Sequence, residues 1–173
     1  MSKANAKRPT VREGMIVAVP ATDGHGFIIG VVARAEPSRS RGAAILVYFF
    51  RPRWPHTPSQ EQVGELLPET ALSIIQTGVL RIIDETWMIV GDVQSFDRAM
   101  WPIPIFGSIS NSEPIIAWLT RFKEDRIGYG APREEIIVSP EEARRYPECS
   151  SWGVDIAAYE ATIEIQNTEK KKH

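Results

Sequence analysis

The residue types of this chain offer four kinds of chemistry, and spacing speaks against each. Gly24, Gly26 and Gly30, with His25 between the first two, have the composition of a phosphate-cradling loop. Such a loop works because the phosphate rests on the N-terminus of the helix that follows. Here the glycines lead into Phe27-Ile28-Ile29-Gly30-Val31-Val32, which reads as a strand, and the spacing fits neither the dinucleotide nor the P-loop signature. They read as turn glycines. A metal site needs several nitrogen or sulfur ligands within reach of one another. The chain has His25, His56, His173 and Cys149, none of them close in sequence to another, so no metal site is expected. Nucleophilic catalysis needs a Ser, Cys or Thr beside a base that a third group orients. His25 and His56 both fall in turn or loop segments, and no nucleophile-elbow pattern occurs. Finally, Asp84-Glu85, Glu134-Glu135 and Glu141-Glu142 pair carboxylates that could exchange protons. Adjacent acids on a strand point to opposite faces, and acids at a helix start are stabilised by its dipole. These read as solvated or capping groups. The expectation is a protein that is not an enzyme, with no catalytic residue, no cofactor and no metal.

Aromatic residues offer binding in place of catalysis. Trp87 and Trp118 lie inside apolar segments and read as core. Trp54 and Trp101 each precede a proline in an extended segment, and Trp152 follows Ser150-Ser151. Loop tryptophans anchor either a lid of their own domain or a hot spot for a partner, and the internal role is the favoured one. Tyr48, Phe49 and Phe50, followed by Arg51 and Arg53, combine rings and cations as single-strand nucleic-acid binders do. Burial of those rings in an interior strand is the simpler reading.

The elements that must position these residues follow from apolar patterning. Met15–Pro20 and residues 27–33 are apolar runs flanking Thr22-Asp23-Gly24-His25-Gly26, which predicts an antiparallel hairpin. Residues 43–50, A-A-I-L-V-Y-F-F, predict a third, central strand that ends at Arg51-Pro52-Arg53-Trp54-Pro55, where prolines oppose pairing in a sheet interior. Ser59 with Gln62 three residues on predicts a capped short helix within residues 59–67. Residues 72–83 alternate imperfectly, with Leu80-Arg81-Ile82 as part of a strand, and residues 86–90 predict another. Residues 103–109, with Pro104 and Gly107, predict an edge strand or extended loop, and residues 114–122 admit helix or strand. Ser139-Pro140-Glu141-Glu142 is the best helix start in the chain. Residues 154–165 admit both periods, with strand favoured over 162–165. The expected fold class is α+β, mainly antiparallel β: a small twisted sheet or partly open barrel that opens with a β-hairpin, with a few short helices. One domain over residues 11–165 is expected between polar tails at 1–10 and 166–173.

At 173 residues the chain can bury a real core, and its net charge of −2 implies neither a polyanion nor a membrane surface as partner. No apolar run approaches the roughly 20 residues of a membrane-spanning helix. A lone cysteine and the absence of a signal-like N-terminus predict a cytoplasmic protein. Charge is uneven: residues 1–53 hold nine Lys/Arg against three Asp/Glu, and residues 54–173 hold eleven against nineteen. A solvated surface with uneven charge is the simpler reading; the alternative is an acidic face in the second part that meets a basic partner.

The segments V-R-E-G-M-I-V-A-V-P and D-G-H-G-F-I-I-G-V-V between Val11 and Val32, I-L-V-Y-F-F from Ile45, and M-W-P-I-P-I-F-G from Met100 come in that order. In that order they resemble the immunity protein 26 family of bacterial polymorphic toxin systems. The resemblance runs from Val11 to Phe122, and the stretch after Gly128 has no counterpart in it. It implies a small cytoplasmic antitoxin that binds a cognate toxin domain, a nuclease among the candidate types, and neutralises it without chemistry of its own. On charge, the partner-binding face is expected on residues 134–160, with Glu134, Glu135, Glu141, Glu142, Glu148, Asp155 and Trp152. An edge strand at residues 103–109 could also pair two copies into a homodimer. The competing expectation is a small β-barrel module for nucleic acid or peptide, with Arg39, Arg41, Arg51 and Arg53 in contact; nucleic acid is the less favoured partner.

Overall fold

The computed structural model describes residues 9–36, 43–148 and 154–170. Two open antiparallel sheets and short helices make an α+β fold that does not close into a barrel. The first sheet holds β1 (Met15–Pro20), β2 (Phe27–Ala35), β3 (Ala44–Trp54), β4 (Ser73–Gly78) and β5 (Met88–Asp92), in the order β4-β3-β2-β1-β5. The second holds β6 (Phe106–Ile109), β7 (Ala117–Phe122) and β8 (Arg133–Val138) in sequence order. Among the described residues four α-helices accompany them: α1 (Gln60–Val63), α2 (Leu80–Ile83), α3 (Pro140–Ala143) and α4 (Val154–Lys170).

The first three strands are apolar at nearly every position because both faces of their sheet are buried. Met15, Val17, Val19, Ile45, Val47 and Phe49 point to one core, completed by Trp87 and by Ala157, Ala161 and Ile165 of α4. Ile16, Ala18, Leu46, Tyr48 and Phe50 point to the other, completed by Trp101 and by Phe106 of the second sheet. Period-2 alternation thus sorts side chains between two cores, where a one-sided sheet would sort them between core and water.

The hairpin forms as its sequence predicts. Gly24 and Gly26 both have φ of +78°, and a Cβ on Gly26 would lie 2.1 Å from the Trp54 carbonyl oxygen, so only glycine fits there. Ser59 and Gln62 form the reciprocal capping box at the start of α1, and Ser139 caps α3 by accepting from the Glu142 amide.

Four expectations are corrected. β3 continues through Pro52 to Trp54, because β4 pairs only with Ala44 to Phe49. Beyond Phe49 the strand has a single neighbour, and proline is tolerated on an unpaired edge. Leu80-Arg81-Ile82 is a helical turn, in which Ile82 turns inward to the first core. Residues 154–170 form one helix, including the 162–165 segment read as strand. Ala157, Ala158, Ala161 and Ile165 line its buried side at helical spacing, and small side chains let it approach the sheet closely. The helix also takes in Gln166 and its neighbours, which the sequence assigns to a tail.

A polar clasp fixes α4 to the hairpin tip. Asp23 accepts from the Arg53 guanidinium at 2.6 Å and from the Gln166 amide at 2.7 Å on one oxygen, and from the His25 amide at 3.0 Å on the other. Burial pushes the Asp23 pKa up, but those hydrogen bonds and the Arg53 charge outweigh it, bringing the value from the ordinary 3.8 down to about 2. A depressed carboxylate pKa contributes stability above the unfolded value and loses it as pH falls through the folded one. The clasp is therefore expected to contribute about 2 kcal/mol at neutral pH, lost between about pH 4 and about pH 2. Urea denaturation across that interval checks it: Asp23→Asn should be the less stable protein at pH 7 and should show a flatter acid limb. Parallel acid limbs for the two proteins would exclude this role.

Candidate functional site

Two surfaces concentrate features that a partner could use. The first is a groove of about 1060 Å³ between the α1 segment and the chain that follows β5. One wall is α1 and residues 64–68. It is bolted to β5 by the Gln60 side-chain amide, which donates to the Asp92 carbonyl at 2.7 Å. The other wall is residues 92–101, ending in a 3-10 turn over Arg98–Met100 that Asp97 caps by accepting from the Ala99 amide at 3.0 Å.

The floor is aromatic and aliphatic. Trp101 is 3% exposed and meets Tyr48 edge-on at 5.2 Å and Phe50 at 6.1 Å, with Phe96 stacked on it at 5.8 Å. Ile16 and Leu66 complete the base, and Met100 stands exposed at the rim. Tyr48 donates its hydroxyl to the Pro102 carbonyl, and burial pushes its pKa up to about 12 against the lowering pull of Arg34. The phenol therefore stays a neutral donor that braces Trp101 from below.

The wall at 92–101 is braced from behind. Buried Arg34 of β2 reaches Asp125 with Nε at 2.9 Å and Nη2 at 2.6 Å, and also donates to the Arg98 carbonyl. Arg98 itself meets the Asp125 carboxylate at 2.7 Å, so one acid ties two cations from two elements. The charged residues that line the groove are of one sign. Glu61, Glu65, Asp92 and Asp97 line it, and among the described residues no Lys, Arg or His does. Arg12 pairs with Asp92 at 2.5 Å; among the described residues no cation pairs with Glu61 or Glu65.

The second surface is the outer part of the small sheet, where much of the expected acidic face lies. Glu134 and Glu135 are on β8, and Glu141 and Glu142 are on α3, which packs beside β6 and β7. Glu148 bridges to Gly107 of β6. Asp155 lies instead on α4, against the other sheet, and is held by Arg81 of α2 at 2.9 Å. Trp152 lies outside the described residues, as do Cys149, Arg39, Arg41 and His173. Most of these acids already have cations of their own chain: Lys123 for Glu134, Arg133 for Glu135, Arg145 for Glu142. Hydrogen bonds from its own backbone amide and from Ser139 hold the Glu141 carboxyl below its usual range, and the Arg81 guanidinium does the same for Asp155.

Among the described residues no strand pairs with the outer side of β8, and Ile137 and Ile136 on it are 80% and 45% exposed. The edge at β6, expected to be the free one, is met by backbone: Gly107 donates to the Pro147 carbonyl at 2.9 Å and bridges to Glu148. A Cβ on Gly107 would fall 2.0 Å from the Ala143 carbonyl oxygen, so α3 closes this side tightly.

The residues weighed for other chemistry are placed plainly. Tyr48, Phe49 and Phe50 are buried and present no ring to a base. Arg53 is engaged with Asp23. His25 and His56 are exposed in loops, and among the described residues no group of three or more His, Cys, Asp or Glu could hold a metal. Among the described helices none is long and apolar enough to cross a membrane. Comparison with known proteins finds no family model, no curated protein and no solved structure that matches the chain.

Proposed function

We propose that this protein is an inhibitory binding protein of the immunity type, which captures a basic toxin domain in the acidic groove between α1 and residues 92–101. The observation that carries the reading is that groove: Leu66, Phe96 and the exposed Met100 line it together with buried Ile16 and Trp101, beside Glu61, Glu65, Asp97 and an Asp92 paired with Arg12, and no cation is among its described lining residues. Apolar floors supply burial, and a single-signed rim steers an oppositely charged partner to them. A nuclease toxin must hold phosphates with Lys and Arg, and its binding cleft is the kind of surface this rim complements. The resemblance of residues 11–122 to the immunity protein 26 family supports the same class.

The groove is preferred to the 134–160 segment as the acidic docking face on charge grounds. Glu134, Glu135 and Glu142 are neutralised by neighbours on their own chain, whereas Glu61 and Glu65 have no such partner among the described residues. Nucleic acid is the poorer partner, since the rings that would stack bases are buried.

Co-expression tests the reading. A basic toxin domain sought among the reading frames that flank this chain's gene is expressed in a bacterial host with and without this chain. Growth is expected only where both are present, with the two proteins co-purifying. Continued growth arrest with both proteins soluble would sink the proposal.

A further inference from the structure

The groove leaves the open edge of the small sheet unused. We infer that β8 is a self-pairing edge, through which two copies of this chain join their three-stranded sheets into one continuous six-stranded sheet. Three observations carry this. The edge is long enough to pair, six residues from Arg133 to Val138, and among the described residues nothing covers it. Its apolar side chains are unusually exposed for a strand that edges toward water, Ile137 above all. Its charges are already balanced on the same chain, Arg133 with Glu135 at 2.8 Å and Lys123 with Glu134 at 4.0 Å. The edge therefore approaches a second copy without net repulsion. An oppositely charged partner would find little here to attract it.

The register follows from symmetry. Two antiparallel strands in one sheet are related by a two-fold axis perpendicular to it, which keeps each residue on its own face. The axis must then pass beside a residue that faces its own copy. Centring on Glu134 or Glu135 sets identical carboxylates opposite each other, which is unfavourable. Centring on Ile137 sets Pro140, the first residue of α3, opposite Glu134, and proline has no amide to pair. Centring on Ile136 leaves Ile136 against itself, Glu135 against Ile137 and Glu134 against Val138, with no like charges opposed. In this arrangement each isoleucine gains a cross-strand neighbour on its own face of the sheet.

Sedimentation velocity and light scattering on the full chain test it. A dimer of twice the 19.4 kDa chain mass is expected in the micromolar range. Ile136→Lys sets two cations opposite at the axis and should return the mass to 19.4 kDa, with far-UV circular dichroism and thermal midpoint showing that the chain is folded. A second readout is specific to register: in a Cys149→Ser background, Ile136→Cys should cross-link to its own copy on oxidation, since facing Cα atoms in a sheet are about 4.5–5.5 Å apart, and Glu134→Cys should not. A parent chain that stays monomeric throughout that range leaves the edge to a strand of another protein and overturns the inference. So does a dimer that survives Ile136→Lys, or equal cross-linking at both cysteine positions. None of these outcomes bears on the groove, because capture there does not use β8.

Discussion

Trp101→Ala is expected to be the most destabilising single substitution at the groove, costing about 3–5 kcal/mol. The indole is nearly solvent-free and touches three rings, Tyr48, Phe50 and Phe96, in edge and stacked contacts. Removing it deletes buried aromatic surface and leaves a cavity in the second core, where Ile16 and Phe106 are buried with it. It also takes the lid off the Tyr48 hydroxyl, whose acceptor is the carbonyl of the adjacent Pro102. Urea denaturation of the parent and the variant measures the loss. Trp101→Phe should recover part of it, since a smaller ring keeps the apolar contact and gives up only volume. A loss below about 1 kcal/mol, the range of ordinary surface substitutions and small truncations, would show that Trp101 is not the keystone of this core.

The second large effect concerns binding. Reversing Glu61 and Glu65 together, as Glu61→Lys with Glu65→Lys, should weaken capture of the basic toxin domain by about two orders of magnitude, because like charges brought together across an interface cost several kcal/mol. Slower association should account for much of that change, and added salt should narrow the gap between the variant and the parent. Both side chains are exposed and unpaired among the described residues, so stability should hardly move. Glu134→Lys with Glu135→Lys is the matched control: it reverses the same number of charges on β8, where each glutamate has its own cation. Surface plasmon resonance at two salt concentrations separates the outcomes. A larger loss from the β8 pair than from the groove pair would return the acidic face to the 134–160 segment.

Local chemistry makes some of this structure legible in the sequence. The hairpin tip needs Asp and Gly to reverse the chain, and those residues mark it in the sequence; the two helix starts are marked by Ser59 with Gln62 and by Ser139 with Pro140. The edge position of β6 could be inferred from Pro104 and Gly107. Tertiary packing decided the rest. Thr162 favours a strand by its branching, yet its hydroxyl donates to the Ala158 carbonyl one turn back and accepts from the Thr22 amide, while Ala157 and Ala161 seat the helix on the sheet. Arg51-Pro52 reads as a strand end until the staggered end of β4 leaves that side of β3 unpaired.

The groove was the least legible feature. Glu61, Glu65 and Asp97 are ordinary surface acids in the sequence, more than thirty positions apart at the extremes. Only the path of residues 92–101 over the sheet, pinned by Arg34, Asp125 and Arg98, brings them around Trp101. The Trp101-Pro102 pair was the one signal available, and it pointed to an anchor without saying what surrounded it. The acids at 134–160, by contrast, attract notice as a run, but the fold disperses them over β8, α3 and α4 and supplies most with cations.

The most direct test of the account is calorimetric titration of the full chain with a purified basic toxin domain sought among the reading frames that flank its gene, at low and at raised salt. The account predicts one toxin domain bound per chain, loss of toxin activity on binding, and affinity that falls as salt is added. No heat of binding at low salt, or tight binding that leaves the toxin active, would contradict it.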